Sequence, residues 1–190
     1  HFPALEYQSM PGFWERLAAK DTIGSLALQF TILTAARSGE VRLAVWSEFD
    51  LAAGIWTIPA ERMKAEREHI VPLSEEALNI LNKLKNARTG DLVFPGSKRG
   101  KPLSDMTLTK VLRDMEVVNA KGEPVTVHGF RSTFSDWARN ETDFPRELIE
   151  ESLAHSLGKV EAAYRRGAAI ERRRELMEAW ANVFAVPPTR

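Results

Sequence analysis

Cysteine is absent from the 190-residue chain, and its absence excludes a disulfide framework and any metal site built on thiolates. The sequence also lacks an apolar run near the ~20 residues that cross a bilayer. Its first residues, HFPALEYQSMPGF, have no basic end followed by an apolar block, so we expect no signal peptide. Together these absences favour a cytoplasmic protein with no membrane partner.

The common metal and nucleotide motifs are missing as well. There is no HExxH pattern and no group of acidic residues with metal-ligand spacing. The segment GSKRGKP resembles a phosphate loop, but only three residues separate Gly96 from Gly100, and Pro102 replaces the Ser or Thr that holds magnesium. We therefore predict no metal and no cofactor, and we interpret this segment as a flexible basic turn.

The chain has no net charge, since its 26 basic residues balance 26 acidic ones. A neutral balance argues mildly against nucleic-acid binding, because domains that bind nucleic acids are often basic. The distribution is uneven, however. Residues 159–174 hold six cations and two acids, and GSKRGK holds three cations and no acid. The sequence therefore allows local phosphate-binding surfaces on a neutral background.

The hydrophobic pattern predicts one domain that is mainly α with a small three-stranded antiparallel β-sheet (α+β). Short β-type segments lie near Phe49, at Ile55–Ile58 and at His69–Val71, with turn signals between them. Helical patterns are expected at MPGFWERLAAK, DTIGSLALQFTILTAAR (N-cap Asp21), SGEVRLAVW (N-cap Ser38), SEEALNILNKLKNA (N-cap Ser74), SDMTLTKVLRDMEV, GFRSTFSDWARN, PRELIEESLAH, around Val160–Tyr164, and at AIERRRELMEAWANVFA, which Pro187–Pro188 end.

Four residues stand where they could act on a phosphate, although none is a strong signal alone. Arg37 follows a strongly apolar helix, where an arginine either holds an anion or pairs with Glu40 and helix-end carbonyls, and its surroundings favour neither. Lys64 falls in the turn of a hairpin, a position typical of a solvated charge. His128 and Arg131 are three residues apart and can share one helix face, but an isolated HxxR pair is weak.

Their combination with two later residues is more specific. Six residues follow the order R, K, HxxR, H, Y, with gaps of 27, 64, 3, 24 and 9 residues: Arg37, Lys64, His128, Arg131, His155 and Tyr164. The segments around them are LTAARSGEVRLAVWSEFD, WTIPAERMKAEREHIVPLS, VHGFRSTFSDWA, IEESLAHSLGKVEAAYRR and RRRELMEAWANVF. With these segments the chain resembles the tyrosine recombinases, and among them the prophage integrases of satellite-phage type. One departure is Ala35, where that family often has glycine.

The resemblance implies a DNA strand transfer that needs no metal and no cofactor. Tyr164 would attack the scissile phosphorus and form a 3′-phosphotyrosyl link, which another 5′-hydroxyl then resolves. The other implied roles are phosphate binding by Arg37 and Arg131, phosphate hydrogen bonding by His155, proton relay by His128, protonation of the leaving 5′-oxygen by Lys64, and orientation of Arg37 by Glu40. Without those residues, the spacing of Val160 and Tyr164 would favour a simply packed helix.

The resemblance also implies a domain arrangement and partners. Residues 1–12 are expected to end an interdomain linker and residues 13–190 to form the catalytic domain, with the family's arm-binding and core-binding domains absent from this chain. The expected partners are double-stranded DNA at attachment sites, three further copies in a homotetramer on that DNA, and DNA-bending accessory proteins. The isolated domain is expected to be a monomer. Candidate DNA contacts are Lys98, Arg99, Lys101, Arg165 and Arg166.

Several alternatives remain open at this point. The apolar residues Leu176, Met177, Trp180 and Phe184 would either dock on a neighbouring copy or pack within their own chain, and we favour the second. A type IB topoisomerase would share the chemistry but relax supercoils. A DNA-binding module without catalysis and an all-helical interaction domain are the two non-enzymatic alternatives.

Overall fold

The computed structural model describes residues 1–155 and 166–185. Its helices are α1 (Met10–Ala18), α2 (Ile23–Thr34), α3 (Ser38–Arg42), α4 (Glu75–Asn86), α5 (Thr107–Asp114), α6 (Gly129–Glu141), α7 (Arg146–Ser152) and α8 (Arg166–Phe184), and its strands are β1 (Phe49–Asp50), β2 (Ile55–Ile58) and β3 (His69–Pro72). The predicted mainly helical α+β class is confirmed. None of the described helices is long and apolar enough to cross a membrane.

The three strands form one antiparallel sheet in the order β1-β2-β3, as the turn signals predicted. Trp56 pairs with Val71 and Ile58 pairs with His69, so these four side chains share one face of the sheet. Trp56, Ile58 and Val71 are buried on that face. His69 therefore lies on the core-facing side of the sheet. It is the first residue of β3 and stands next to the β2–β3 connection that carries Lys64.

Helix α2 is the centre of the domain, and almost all of its residues are buried. It contacts α1, α3, α4, α5 and α8, which explains why its sequence is apolar on every side. Its N-cap is Thr22, whose hydroxyl accepts a hydrogen bond from the backbone N–H of Ser25 at 3.1 Å. The predicted cap, Asp21, is wrong: its carboxylate pairs with Lys83 instead.

The first residues of the chain pack on the domain. Leu5 and Met10 are buried in the core, and the backbone N–H of Thr126 donates to the Pro3 carbonyl at 3.0 Å. The Pro3 carbonyl also lies so close to Gly129 that a Cβ there would meet it at 2.2 Å. Residues 3–10 therefore help to fix the start of α6. The expected linker boundary and upstream domains stay a prediction.

Helix α8 closes the core through its apolar face. Leu176, Met177, Trp180 and Phe184 are all buried. The Trp180 indole N–H donates to the Ile32 carbonyl of α2 at 2.9 Å, and the Phe184 ring packs on Trp180 and Trp14. Of the two alternatives for these side chains, packing within the chain is the one observed. The helix begins at Arg166, three residues earlier than predicted, while the predicted helix at Val160–Tyr164 and the stop at Pro187–Pro188 lie outside the described residues.

Candidate functional site

Arg131 lies at the centre of the site, in the first turn of α6, and it is buried. Its guanidinium donates to two backbone carbonyls that end other helices: Ala35 at the end of α2, and Leu153 after α7 at 2.6 Å. Burial lowers the pKa of Arg131 to about 10, and the neighbouring charge of Arg37 acts in the same direction. Three helix ends therefore converge on one guanidinium.

Arg37 stands beside this centre at the start of α3. It is the N-cap residue, so the predicted cap Ser38 is wrong: Ser38 is the first residue of the helix. The buried carboxylate of Glu40 accepts from the Arg37 backbone N–H at 2.9 Å and from its guanidinium Nη1 at 3.0 Å. The Arg37 side chain remains 27% exposed. Glu40 thus binds one edge of the Arg37 guanidinium, and the rest of the group is exposed to solvent. Arg37 can therefore form the ion pair with Glu40 and still bind an anion.

His155 reaches Arg131 because the chain turns sharply after α7. The predicted helix PRELIEESLAH ends at Ser152, and Ala154 has a left-handed φ of 54°. This turn returns the His155 N–H to the Glu150 carbonyl at 3.0 Å. The imidazole Nε2 lies 3.3 Å from Arg131 Nη2, and Nδ1 lies 2.6 Å from the Glu150 carboxylate.

His128 precedes α6 directly, with its ring centroid 4.5 Å from that of Phe2. Partial burial lowers the pKa of His128, and the positive charges of Arg131, Arg37, His155 and Lys64 lower it further. A neutral imidazole in this position can accept a proton. The cleft of about 170 Å³ beside it is lined by His128, Arg131, Ser132, Ser135, Asp136, Arg139, Glu150, Leu153 and His155.

Lys64 lies in the β2–β3 connection, in an exposed turn. The residues just before it are anchored: Met63 is buried, and the Arg62 guanidinium binds the Glu48 carboxylate at 2.8 Å and the Glu40 carbonyl at 3.0 Å. The connection is thus fixed to the helix that carries Arg37. Lys64 is among the cations that lower the pKa of His128, although its effect is the smallest of those named.

Three of the six predicted residues therefore line one cleft, His128, Arg131 and His155, and the charge of Arg37 acts on the first two. Lys64 stands at the edge of this group. Tyr164 lies outside the described residues, as does Arg165. Lys98, Arg99 and Lys101 are exposed in the loop between the paired residues Pro95 and Pro102, and Arg166 opens α8.

Part of the predicted basic run is structural. Arg173 is buried, and its guanidinium donates to the Ile70 carbonyl of β3 at 2.7 Å. Arg174 donates to the Gly54 carbonyl at 2.8 Å and to the Ala53 carbonyl at 3.1 Å. Both arginines bind α8 to the sheet, so the net charge of residues 159–174 overstates the charge that faces solvent. A cation is buried cheaply only where such acceptors meet it.

Sequence reasoning missed two residues of the site. Glu150 lies five positions before His155, a spacing at which a continuous helix would not bring the two side chains together, and only the turn at Ala154 does so. His69 is the second missed residue. Burial lowers the pKa of its imidazole to about 3, and the positive charges of Arg173, Arg131 and Arg37 lower it further. The sequence does not give the strand register that places His69 opposite Ile58. No group of three or more His, Asp or Glu that could hold a metal occurs within residues 1–155 and 166–185.

The model of the phage integrase family matches residues 5–169 of the chain. The integrase of Enterobacteria phage P4 is 38% identical over 202 residues, covering 96% of this chain and 45% of that protein. Prophage integrase IntA of Escherichia coli K12 is 39% identical over 155 residues, covering 80% of this chain and 36% of that protein. The chain thus spans less than half the length of these curated relatives.

Solved structures show the same fold at low sequence identity. The XerA recombinase has a TM-score of 0.62 at 19% identity, covering 94% of this chain and 59% of that one. A lambda integrase tetramer bound to a Holliday junction has a TM-score of 0.62 at 20% identity, covering 83% of this chain and 48% of that one. From the match over most of its length and from its relatives, the chain belongs to the phage integrase family.

Proposed function

We propose that this chain is the catalytic domain of a site-specific DNA recombinase, which cleaves and rejoins DNA strands to integrate or excise a prophage or genomic island. One observation carries the proposal. The buried guanidinium of Arg131, held by the Ala35 and Leu153 carbonyls, has the partly exposed Arg37 and the imidazole of His155 beside it. Such a set of fixed donors suits the non-bridging oxygens of a phosphodiester.

The reaction is a transesterification without metal or nucleotide cofactor. The Tyr164 oxygen attacks the phosphorus, the bond to the 5′-oxygen breaks, and a 3′-phosphotyrosyl link forms. The new link is itself a phosphodiester, so a 5′-hydroxyl from a second strand can attack it, release the Tyr164 oxygen and join the strands. Arg37, Arg131 and His155 stabilise the charge that builds up on the non-bridging oxygens in the transition state.

Two proton transfers complete the step. A free phenol has a pKa of ~10 and is a poor nucleophile at neutral pH. His128 accepts the Tyr164 proton, a role supported by the lowered pKa of its imidazole. Lys64 delivers a proton to the leaving 5′-oxygen, and its exposed turn, anchored by Arg62, allows the ammonium to approach the DNA from outside the cleft.

The substrate is double-stranded DNA carrying attachment sites, bound mainly through its backbone. Exposed Lys98, Arg99 and Lys101 are the candidate backbone contacts, with Arg165 and Arg166 next to the nucleophile. Recombination joins two duplexes, so four copies act as a homotetramer on DNA, as the lambda integrase tetramer bound to a Holliday junction does. DNA-bending accessory proteins are further partners. The isolated chain is a monomer, since the apolar face of α8 is used internally.

The nucleophile is tested by a covalent trap. A library of nicked duplexes with a randomised core loses its short 5′-hydroxyl fragment after cleavage, so that any covalent protein–DNA adduct persists and can be sequenced. The wild-type chain is expected to form an adduct on an enriched sequence. Tyr164→Phe should bind that duplex with unchanged affinity but form no adduct. An adduct from Tyr164→Phe would contradict the assignment, and strand joining rather than relaxation of a supercoiled plasmid distinguishes a recombinase from a topoisomerase.

A further inference from the structure

Glu150 has no role among the six residues already assigned, yet it makes the shortest polar contact of His155. Its carboxylate Oε2 lies 2.6 Å from His155 Nδ1, and the other oxygen, Oε1, is bound by Arg139. The Glu150 side chain is only 14% exposed. Burial alone would raise its pKa, but the hydrogen bond and charge of His155, followed by those of Arg139, bring the pKa of Glu150 below its ordinary value. The group is therefore an anion held against an imidazole.

The two neighbours of the imidazole select one tautomer. A carboxylate only accepts hydrogen bonds, so Nδ1 must carry a proton toward Glu150. An arginine only donates, so the Arg131 Nη2 contact at 3.3 Å requires Nε2 of a neutral ring to be the acceptor. Both contacts are met by the Nδ1–H form and by no other neutral form. The local hydrogen bonds thus determine the protonation pattern of the ring.

This tautomer is at odds with the role of His155 as a phosphate donor. In the neutral Nδ1–H ring, Nε2 has a lone pair and would face the phosphate oxygens as an acceptor. Nε2 becomes a donor only when the ring takes a second proton from solvent. That protonation places a cation beside Arg131, in a cleft that Arg139 and His128 also line. Two carboxylates face this cleft, Asp136 and Glu150, and Glu150 is the one in direct contact with the ring.

We propose that Glu150 is a positioning residue that keeps His155 in the Nδ1–H form and supplies the charge with which the ring, once a phosphate arrives, binds a second proton and donates through Nε2. The proposal rests on the proposed strand-transfer function for its last step, since only that reaction brings a phosphate to Nε2. Its first step concerns the protein alone. The two steps can therefore fail separately.

The tautomer is measured without DNA. The chain contains four histidines, so ¹⁵N-labelled imidazole resonances can be assigned by single substitutions. At a pH where the ring is neutral, His155 of the wild type should show the Nδ1–H pattern. In Glu150→Ala only the 3.3 Å contact with Arg131 still favours Nδ1–H, so the ring should move part of the way toward the Nε2–H pattern that free histidine side chains prefer. An Nε2–H ring in the wild type, or an unchanged pattern in Glu150→Ala, would overturn the proposal whether or not the protein cleaves DNA.

The charge is measured by the pH profile of adduct formation on the selected nicked duplex. Glu150→Gln keeps the shape of the side chain and removes its charge, so its rate should fall about tenfold below wild type at alkaline pH and converge with it at acid pH. Arg139→Gln removes the competing cation from Glu150 and should move the alkaline limb the opposite way. Glu147→Gln makes the same charge change on the exposed side of α7 and should leave the profile unchanged.

These outcomes distinguish a failure of the proposed function from a failure of the role proposed for Glu150. If the wild type forms no adduct on any duplex, the proposed function fails while the tautomer result still stands or falls by itself. If the wild type cleaves and Glu150→Gln loses rate equally at every pH, Glu150 has only a structural role and the proposal is wrong. Parallel shifts in Glu150→Gln and Glu147→Gln would also overturn it, since both would then reflect the overall charge of α7.

Discussion

The arginine centre and the β2–β3 connection carry neighbouring parts of one site but are built in opposite ways. Arg131 is buried and donates to carbonyls at the ends of two other helices. Lys64 is exposed in a turn, which Arg62 and the buried Met63 anchor and which the hydrogen bond from the Glu66 N–H to the Met63 carbonyl closes at 3.0 Å. The Arg131 guanidinium therefore helps to hold the fold together, whereas the Lys64 ammonium lies on the surface of the fold.

The chemistry explains why the two constructions differ. A group that stabilises the charge of a transition state acts best when it is already oriented, because no energy is then spent on orienting it during the reaction. Arginine suits this role, since its charge is permanent and its donors are planar. A group that gives away a proton must exchange that proton with solvent between turnovers, and an exposed lysine can do so. The difference predicts that substitutions in the two regions affect stability and rate in different proportions.

The largest effect is expected for Arg131→Ala. Adduct formation should fall by about 10²–10³ because a transition-state donor is lost. The Ala35 and Leu153 carbonyls also lose their donor, which should reduce the free energy of unfolding by about 1–3 kcal/mol. Adduct yield on the nicked duplex and urea unfolding measure the two quantities. Arg131→Lys should recover little of either, because one ammonium cannot reproduce the planar fork. Loss of rate with unchanged stability would remove the proposed contrast.

Lys64→Ala should separate rate from stability. The loss of a general acid should slow cleavage by about 10²-fold, while the unfolding midpoint stays at the wild-type value because the side chain is exposed. A nicked duplex with a bridging 5′-sulfur has a leaving group that needs no proton and should restore the rate.

Arg67→Ala is the matched control for Lys64→Ala, since it removes another cation from the same exposed turn. Sulfur substitution should not improve its rate relative to wild type. If the sulfur substrate fails to rescue Lys64→Ala, or rescues Arg67→Ala equally, the proton-donor role of Lys64 is wrong.

The sequence predicted the elements and candidate residues of the arginine centre and the β2–β3 connection, but it did not predict all of their contacts. Periodicity and turn residues located the helices and the three strands, and the order of six residues from Arg37 to Tyr164, with the family resemblance that it supports, predicted the candidate site. What it could not predict were contacts made by backbone carbonyls, such as that of Ala35 with Arg131, because every residue has a carbonyl and no pattern marks the one that is used. The Glu150–His155 pair was hidden for a related reason.

That pair depends on a left-handed residue after α7. A helical pattern gives no warning that the chain will turn at Ala154, since alanine is the residue that most favours helix continuation. Asp21 and Ser38 were predicted as helix caps for the same kind of reason: their residue types fit, but the neighbouring Thr22 and Arg37 have the extended backbone that a cap requires. Residue type predicts a cap within a position or two, and the backbone decides which position is used.

The smallest effect is expected for Ala35→Gly, which tests whether the backbone of Ala35 alone positions Arg131. Ala35 ends α2 with a φ of 52°, a conformation that costs most residues about 1–2 kcal/mol and glycine little. The entropy of the unfolded glycine offsets part of the gain, so the free energy of unfolding should rise by at most about 1 kcal/mol. Because the carbonyl that receives Arg131 stays in place, cleavage should match wild type. Ala36→Gly, one residue further along the chain, should instead destabilise the protein. A fall in cleavage by Ala35→Gly without a fall in stability would mean that the strained alanine itself tunes the position of Arg131.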